Sequence, residues 1–291
     1  MEKTAAMFSR ESQLLKAIRD DKLKTVERLL KAGTSPDAAD ARGTALAAAC
    51  RRGDLAVVKL LLQAGASPDK PGEQGSTPLM DTLSGTFGAS NQTLAAIMGA
   101  LVESGADPNA SDEEGNTPML RAARGLLGWA PPPISGLGER AKALAELGGD
   151  PDRRRADGNT ALMLATYISQ GDDVFLRGPA ESLVEALVSI GASAEGLSSV
   201  LLIRRAELGP TQGVQQALEA GADPNHTLPD GVTPLYAAAR TGAVEAVELL
   251  LKAGARVTGP GLSPLVAAAE SGNQAMVQRL VEAGADPAVL A

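Results

Sequence analysis

Residue types that usually carry catalysis or bind metals are scarce in this sequence. Its 291 residues include one histidine, His226, and one cysteine, Cys50. A zinc site built from His and Cys needs three or four such ligands, and the sequence has too few. With one cysteine, the chain cannot form an intrachain disulfide. A serine–histidine pair has only His226 to use. We expect His226 to be a surface turn residue and Cys50 to be a buried structural thiol.

Phosphate-binding and hydrolase motifs are also absent from the sequence. There is no glycine-rich phosphate loop and no Gly-x-Ser-x-Gly turn. Gly136-Leu137-Gly138 is too short for a phosphate loop, and no strand precedes it. We therefore expect no catalytic residues, no metal and no cofactor, and predict that the chain is not an enzyme.

Composition and charge narrow the function classes further. The chain has 27 Lys and Arg against 35 Asp and Glu, a net charge of −8, which makes nucleic-acid binding a poor expectation. Apolar residues make up 44 % but aromatic residues only 2 %, so the core must be built from Ala, Leu and Val. No apolar run reaches the length of a membrane span or of a signal peptide, so we expect no membrane contact and a cytoplasmic location.

A short phrase recurs eight times along the chain. Its fullest form is Ala-Gly-Ala-Asp-Pro-Asn at 220–225. A second phrase, Thr-Pro-Leu or a variant, stands 21 residues before the glycine of the first phrase in the regular copies, and a further glycine stands 12 before it. The phrase glycines are Gly33, Gly65, Gly105, Gly148, Gly191, Gly221, Gly254 and Gly284.

These phrases predict a repeating helix–turn–helix unit followed by an extended finger. Threonine caps the free N–H groups of a helix start, and proline fits the first helical position. Glycine ends a helix in a left-handed conformation, as we expect for Gly53, Gly242, Gly272 and Gly209. Pairs such as Asp157-Gly158 and Asp230-Gly231 fit the tight turn of a finger.

In combination, the Thr-Pro-Leu start, the Ala-Ala-x-x-Gly helix end and the Gly-Ala-Asp-x-Asn phrase resemble the ankyrin-repeat family. The resemblance covers about residues 9 to 291 and implies an all-α solenoid of about eight units. Two departures stand out: the family's histidine after Thr-Pro-Leu is absent from every copy, and Val200-Leu201-Leu202 replaces the helix start in repeat six.

The phrases divide the chain into one solenoid over residues 1–291. The expected repeats are 9–38 as an N-terminal cap, 39–70, 71–110, 111–153, 154–196, 197–226, 227–259, and 260–291 as a C-terminal cap.

Repeats three, four and five carry insertions. The distance from Thr77 to Gly105 is 28 residues, and the two following repeats span 31, against 21 in the regular copies. The excess falls between the first and second helix, around 84–91, 126–138 and 169–178. Equivalent positions of stacked repeats lie side by side, so these insertions are predicted to form one continuous surface.

The insertions hold three of the six aromatic residues, and Tyr167 lies close to one of them. Aromatic rings are frequent hot spots of protein interfaces, and the segment from Trp129 to Pro133 is predicted to be stiff and polyproline-like. We predict contact with a partner at Phe87, Trp129, Pro131, Pro132, Tyr167 and Phe175. The alternative is that the rings fold back over the ends of the flanking helices.

The fingers offer a second candidate surface, because ankyrin-repeat proteins commonly bind through finger tips and first helices. Asp112 and Glu113 lie in the finger leading into repeat four. Arg153, Arg154 and Arg155 lie in the next finger, so the two are predicted to be neighbours of opposite sign. The alternative is a pair of solvated fingers with weak ion pairs.

The expected function is a non-enzymatic protein-interaction module that binds and inhibits, sequesters or scaffolds a partner. The chain is expected to be a monomer alone, and its acidity favours a partner with a basic patch. Its Ala-, Gly- and Arg-rich composition is typical of a GC-rich bacterium, so the most specific hypothesis is an immunity or inhibitor protein against a toxin or effector enzyme. A self-assembling scaffold, or an enzyme with an unrecognised site, is the alternative.

Overall fold

A computed structural model describes residues 9–83, 89–124, 136–170, 174–208 and 210–290. Within these ranges the chain forms sixteen α-helices in eight successive pairs, which confirms the all-α repeat solenoid. The first helices of the pairs are α1 (Arg10–Arg19), α3 (Ala45–Arg52), α5 (Pro78–Leu83), α7 (Pro118–Arg124), α9 (Ala161–Ser169), α11 (Leu197–Leu208), α13 (Pro234–Thr241) and α15 (Pro264–Glu270). The second helices are α2 (Leu23–Lys31), α4 (Leu55–Gln63), α6 (Asn91–Glu103), α8 (Leu137–Glu146), α10 (Val174–Ser189), α12 (Thr211–Glu219), α14 (Val244–Lys252) and α16 (Gln274–Glu282).

Four short elements accompany the helices in the described residues. In the first finger, β1 (Ala39–Asp40) pairs with β2 (Gly43–Thr44) in antiparallel fashion, with Ala39 opposite Thr44. Single helical turns occupy Glu73–Gly75 and Pro287–Leu290.

The core runs along the stack as a ribbon of small and aliphatic side chains. Each first helix packs against the first helix of the next repeat. Alanines such as Ala45, Ala47 and Ala49 are fully buried, which allows these helices to approach closely. Within the described ranges no aromatic ring is among the buried core residues, as the composition predicts.

The predicted threonine caps and glycine helix ends are confirmed in the regular repeats. The hydroxyls of Thr44, Thr160 and Thr233 each accept a hydrogen bond from the backbone N–H three residues on, at 3.1–3.3 Å. Gly53 and Gly242 end their helices at φ of 69° and 75°. Gly209 lies outside the described residues.

Apolar packing takes the place of the missing family histidine. Met80, Leu120 and Met163 occupy that position, and each is at most 1 % exposed. Their backbone N–H groups donate to the capping threonines of their own helices. The start of each of these helices is therefore held by the cap and by burial.

The last residue of the recurring phrase forms a clasp between neighbouring repeats. Its side-chain oxygen accepts a hydrogen bond from the backbone N–H two residues after the phrase glycine of the next repeat. The five clasps are Asp37 to Ser67 (2.9 Å), Asp69 to Asp107 (2.9 Å), Asn109 to Asp150 (2.7 Å), Asp152 to Ser193 (2.7 Å) and Asn225 to Arg256 (2.8 Å). This series of bonds holds the repeats in a fixed register along the solenoid.

Asparagine makes a better clasp than aspartate. The amides of Asn109 and Asn225 also donate to the carbonyls of Gly148 and Gly254, at 2.9 and 3.1 Å. Asp69 has no such donor, and its Oδ1 is buried without a hydrogen-bond partner. Burial accordingly raises the pKa of Asp69.

We expect Asp69→Asn to raise the free energy of unfolding by about 1 kcal/mol at neutral pH, since the new amide gains a hydrogen bond and the buried charge is removed. The gain should shrink as the pH falls through the raised pKa of Asp69, because the wild-type carboxylate is then protonated. Urea unfolding at neutral and acidic pH measures both effects. The reciprocal control, Asn109→Asp, should be destabilising by a similar amount, and a stabilising Asn109→Asp would contradict the clasp.

Repeat six lacks a finger. Helix α11 begins at Leu197, six residues after Gly191, whereas α9 and α13 begin thirteen residues after their phrase glycines. The expected helix start at Val200-Leu201-Leu202 is therefore wrong by about one turn. The hydroxyl of Ser199 replaces the missing clasp by accepting from the Asp223 N–H at 2.9 Å.

Two of the insertions are partly helical, because they lengthen the second helices of their repeats. Helix α10 has 16 residues and α6 has 13, against 9 in the regular α4. The insertion expected around 169–178 therefore contributes the first turn of α10, with Phe175 in it. The predicted insertion segments 84–88 and 126–135 lie outside the described residues.

Candidate protein-binding surface

We define the inner face of the stack as the exposed sides of the first helices and of the fingers. In repeats one to four this face contains a cleft of about 650 Å³. We call this cleft the arginine groove, after the arginines that line it. The other lining residues are Ala48, Gln74, Ser76 and Asp81. The groove arginines are Arg19, Arg42, Arg51, Arg52 and Arg121.

Several groove arginines are held by ion pairs within the chain. The carboxylates of Asp81 and Asp112 are almost covered, with side-chain exposures of 7 % and 1 %, while the arginine side chains facing them are 36 % and 24 % exposed. The accessible part of these pairs is therefore the guanidinium group. The pairs are Arg19–Asp40 at 2.7 Å, Arg51–Asp81 at 2.9 Å and Arg121–Asp112 at 2.9 Å.

Main-chain carbonyls fix two of the guanidinium groups. Arg51 donates to the Arg42 carbonyl at 2.7 Å, and Arg52 donates to the Arg19 carbonyl at 3.1 Å. A carbonyl oxygen carries no net charge, so these bonds orient the side chains without neutralising them.

Asp81 lies at the base of the groove. Besides pairing with Arg51, it accepts a hydrogen bond from the Ser76 hydroxyl at 3.2 Å. Burial raises the pKa of Asp81, and the charge of Arg51 opposes that rise. The carboxylate thus contributes little exposed negative surface to the groove.

The acidic finger uses Asp112 internally. Its carboxylate accepts from the backbone and side-chain amides of Asn116 at 2.8–3.0 Å and from Arg121 at 2.9 Å. This residue was expected to contact a partner, but the structure places it at the base of its finger, where it is buried. Glu113, also expected to contact a partner, is exposed.

The three arginines of the basic finger, Arg153, Arg154 and Arg155, differ in exposure. Arg155 is half-buried and donates to the Asn116 side chain at 3.0 Å, so the two fingers are neighbours, as expected, and are joined through an amide. Arg154 pairs with Glu195 at 3.1 Å. Arg153 and Arg154 are exposed.

Tyr167 belongs to a cluster that links repeats five, six and seven. The Arg204 guanidinium lies over the Tyr167 ring, 4.2 Å from its centroid, and pairs with Glu207 at 2.6 Å. Glu207 also pairs with Arg240. Burial raises the pKa of Tyr167 to about 12. The ring thus stabilises the junction between repeats, which corresponds to the alternative in which aromatic rings pack back onto the stack.

Phe175, in the first turn of α10, presents a large apolar surface to solvent. Its side chain is 81 % exposed, the highest value among the exposed large hydrophobic residues of the described ranges. Phe87, Trp129, Pro131 and Pro132 lie outside the described residues.

His226 lies in its finger, as the sequence predicts, but it is half-buried and not fully at the surface. Because repeat six has no finger, the fingers of repeats five and seven meet directly. The Nε2 of His226 lies 3.0 Å from the Asn159 Oδ1, and the Asn159 amide donates to the Thr227 carbonyl at 2.8 Å. Burial lowers the pKa of His226.

A lowered pKa means that the fold favours neutral His226, so its contribution to stability is present above the unfolded value of about 6.5 and is lost as the pH falls through the folded value. We expect wild type to lose stability on acidification in that range relative to His226→Gln, whose amide keeps the donor. Thermal unfolding across pH 5 to 8 measures this, and parallel curves for the two proteins would contradict it.

Cys50 and groups of metal-ligating side chains are the other candidates for chemistry that the sequence raises. Cys50 is fully buried, as expected, and burial raises the pKa of its thiol to about 12. The described residues hold no group of three His, Cys, Asp or Glu side chains placed to bind a metal ion. Among the described helices, none combines the length and apolar character that crossing a membrane requires.

The arginine groove was not identified from the sequence. Its arginines come from α1, the first finger, α3 and α7, so they are spread over about one hundred positions. The available signal was that Arg51-Arg52 and Arg121 fall on first helices, whose exposed sides line one face. The net charge of the chain gave no indication of the groove, because it sums the charges on every face of the molecule.

A family model described as Ankyrin repeats (3 copies) matches residues 14–89 and 202–290, more than half of the chain. The unmatched centre, residues 90–201, contains repeats four and five and the second helix of repeat three. A search of curated proteins found no significant match. With the repeated caps, clasps and paired helices, the family match shows that the chain belongs to the ankyrin-repeat family, whose repeats are protein–protein interaction modules.

Proposed function

We propose that this chain binds one partner protein through its inner face and thereby inhibits, sequesters or escorts it, without a reaction of its own. Ankyrin-repeat proteins are in general non-enzymatic, and the most specific form of the proposal is an immunity or inhibitor protein acting on an effector enzyme.

The observation that carries the proposal is that one set of side chains stabilises the fold and a different set faces solvent. The core ribbon and the clasps hold the repeats in register, while the groove arginines and the tips of the fingers are accessible side chains outside that core. A surface that is fixed before binding loses little conformational entropy in the complex, which favours a specific protein partner.

Phe175 extends the proposed contact to the insertion side of repeats three to five. Its exposed ring gives a partner an apolar anchor, and such anchors dominate many interfaces. Exposed Glu113, Arg153 and Arg154 supply polar contacts on the adjoining fingers. Asp112, Arg155 and Tyr167 are left out of the proposed contact set, since each has partners within the stack.

The test is affinity capture from the native host lysate, followed by titration of the purified partner. We expect saturable one-to-one binding by wild type. Phe87→Ser with Trp129→Ser and Phe175→Ser tests the insertion side, and Arg153→Glu with Arg154→Glu tests the fingers; thermal unfolding of each variant separates contact from folding.

Loss of the partner with unchanged stability assigns the altered surface to the interface. Loss of stability in the triple serine variant shows that the rings cover helix ends. No protein enriched over a control bait of equal charge would overturn the proposed function.

A further inference from the structure

We propose that the arginine groove binds an extended acidic segment of the partner, rich in Asp and Glu. This inference rests on the proposed function, because it names the chemistry of the protein that the inner face would hold.

The arginines that line the groove outnumber the carboxylates near them, although Asp21, Asp40, Asp81 and Asp112 each lie within 4 Å of one arginine. The chain carries a net charge of −8, yet five arginines and one carboxylate line this cleft. That carboxylate, Asp81, is 7 % exposed at the side chain, whereas the Arg51 and Arg52 side chains are 36 % and 39 % exposed. Local charge governs contact at short range, so the complementary surface is acidic, not the basic patch that net charge favours.

The groove arginines retain hydrogen-bonding capacity for a ligand. A guanidinium group has five N–H donors. Among the described residues, the Arg52 side chain donates one hydrogen bond, to the Arg19 carbonyl, and lies 3.8 Å from the Asp21 carboxylate. The Arg42 side chain makes no hydrogen bond to any described residue and interacts with Asp40 through its charge. Both side chains can therefore take up a carboxylate.

Carboxylates are favoured over nucleic acid by the lining of the cleft. The planar guanidinium group binds a carboxylate in bidentate fashion. Single-stranded nucleic acid is usually held by stacking of bases on aromatic rings as well as by phosphate contacts, and no aromatic ring is among the described residues that line the groove. The arginines come from four segments of the stack, α1, the first finger, α3 and α7, so a ligand that meets them all is an extended chain.

The test is fluorescence anisotropy of a labelled peptide with Glu and Asp at alternate positions, against a twin carrying Gln and Asn. We expect the whole protein to bind the acidic peptide at least about tenfold more tightly than the twin, with the preference falling as salt rises. Arg42→Glu with Arg52→Glu should remove the preference. These two substitutions do not alter the Arg51–Asp81 ion pair, so we expect the variant to fold.

The matched control is Lys24→Glu with Lys59→Glu, which makes the same change of charge at exposed positions on the second helices α2 and α4. The control should retain the preference for the acidic peptide. Equal binding of the two peptides, equal loss in both double variants, or tighter binding of a single-stranded oligonucleotide of the same charge would each overturn the inference.

The captured partner separates this inference from the proposed function. If the partner binds wild type and Arg42→Glu with Arg52→Glu equally well, the groove assignment fails and the proposed function stands. If wild type binds no protein at all, the proposed function itself fails.

Discussion

Asp112→Ala is expected to lower the free energy of unfolding by about 3 kcal/mol. The substitution removes the carboxylate that closes the finger on Asn116 and removes the ion pair between Asp112 and Arg121. The side chain is 1 % exposed, so water does not replace the lost hydrogen bonds as it would at the surface. Urea unfolding monitored by circular dichroism measures the change.

Glu113→Ala is the matched control for that substitution. It removes a carboxylate from the neighbouring position of the same finger, but the Glu113 side chain is exposed, so we expect a change of less than about 0.5 kcal/mol. Equal stability of the two variants would show that the Asp112 network contributes nothing. Loss of partner binding by Asp112→Ala at full stability would restore Asp112 to the contact surface.

Gly138→Ala is expected to lower the free energy of unfolding by about 2 kcal/mol, because the space between α8 and α10 is already filled. A Cβ at this position would lie 2.6 Å from the backbone carbonyl oxygen of Ser182 and 3.1 Å from the Cβ of Ala186. Backbone atoms cannot rotate away, so the two helices must separate. Since a solenoid is held by contacts between neighbours, unfolding should also become less cooperative between repeats four and five.

Gly99→Ala provides a control of the same chemistry and opposite sign. Gly99 lies inside α6, and a Cβ there meets nothing within 4 Å. Alanine has the higher helix propensity, so this variant should gain up to about 1 kcal/mol. Equal effects of the two substitutions in urea unfolding would contradict the close packing of α8 on α10.

The fold was predictable because the determinants of each repeat are local. A capping threonine, a glycine of positive φ and a buried alanine face act within one helix pair, as Thr233, Gly242 and Ala238 illustrate. Their constant spacing turns weak local signals into a strong one. Gly136-Leu137-Gly138 shows the same logic, since its glycines serve a left-handed helix start and a close helix contact, not a phosphate.

The predictions failed where an insertion or deletion changed the register. Seven residues are missing between Gly191 and α11, and a pattern matched on apolar residues placed that helix one turn late. The loss of this finger brings His226 against Asn159, a contact between residues 67 positions apart that spacing within a repeat does not indicate.

Site residues were harder to predict than the fold, because charge and ring type do not reveal burial. Asp112, Arg155 and Tyr167 are residue types that are common in binding surfaces. In the structure, however, each contacts another residue of the stack. The arginine groove arises only when four segments are placed side by side. Exposure, which decides what is left for a partner, is a property of the assembled solenoid.

The central claim is that this ankyrin stack holds a partner protein on its inner face. Hydrogen–deuterium exchange of the chain with and without the captured partner tests it most directly. We predict slower exchange in the fingers and first helices of repeats one to five, and unchanged exchange in the second helices α2, α4, α14 and α16. Protection confined to those second helices, or no protection anywhere at saturating partner, would contradict the account.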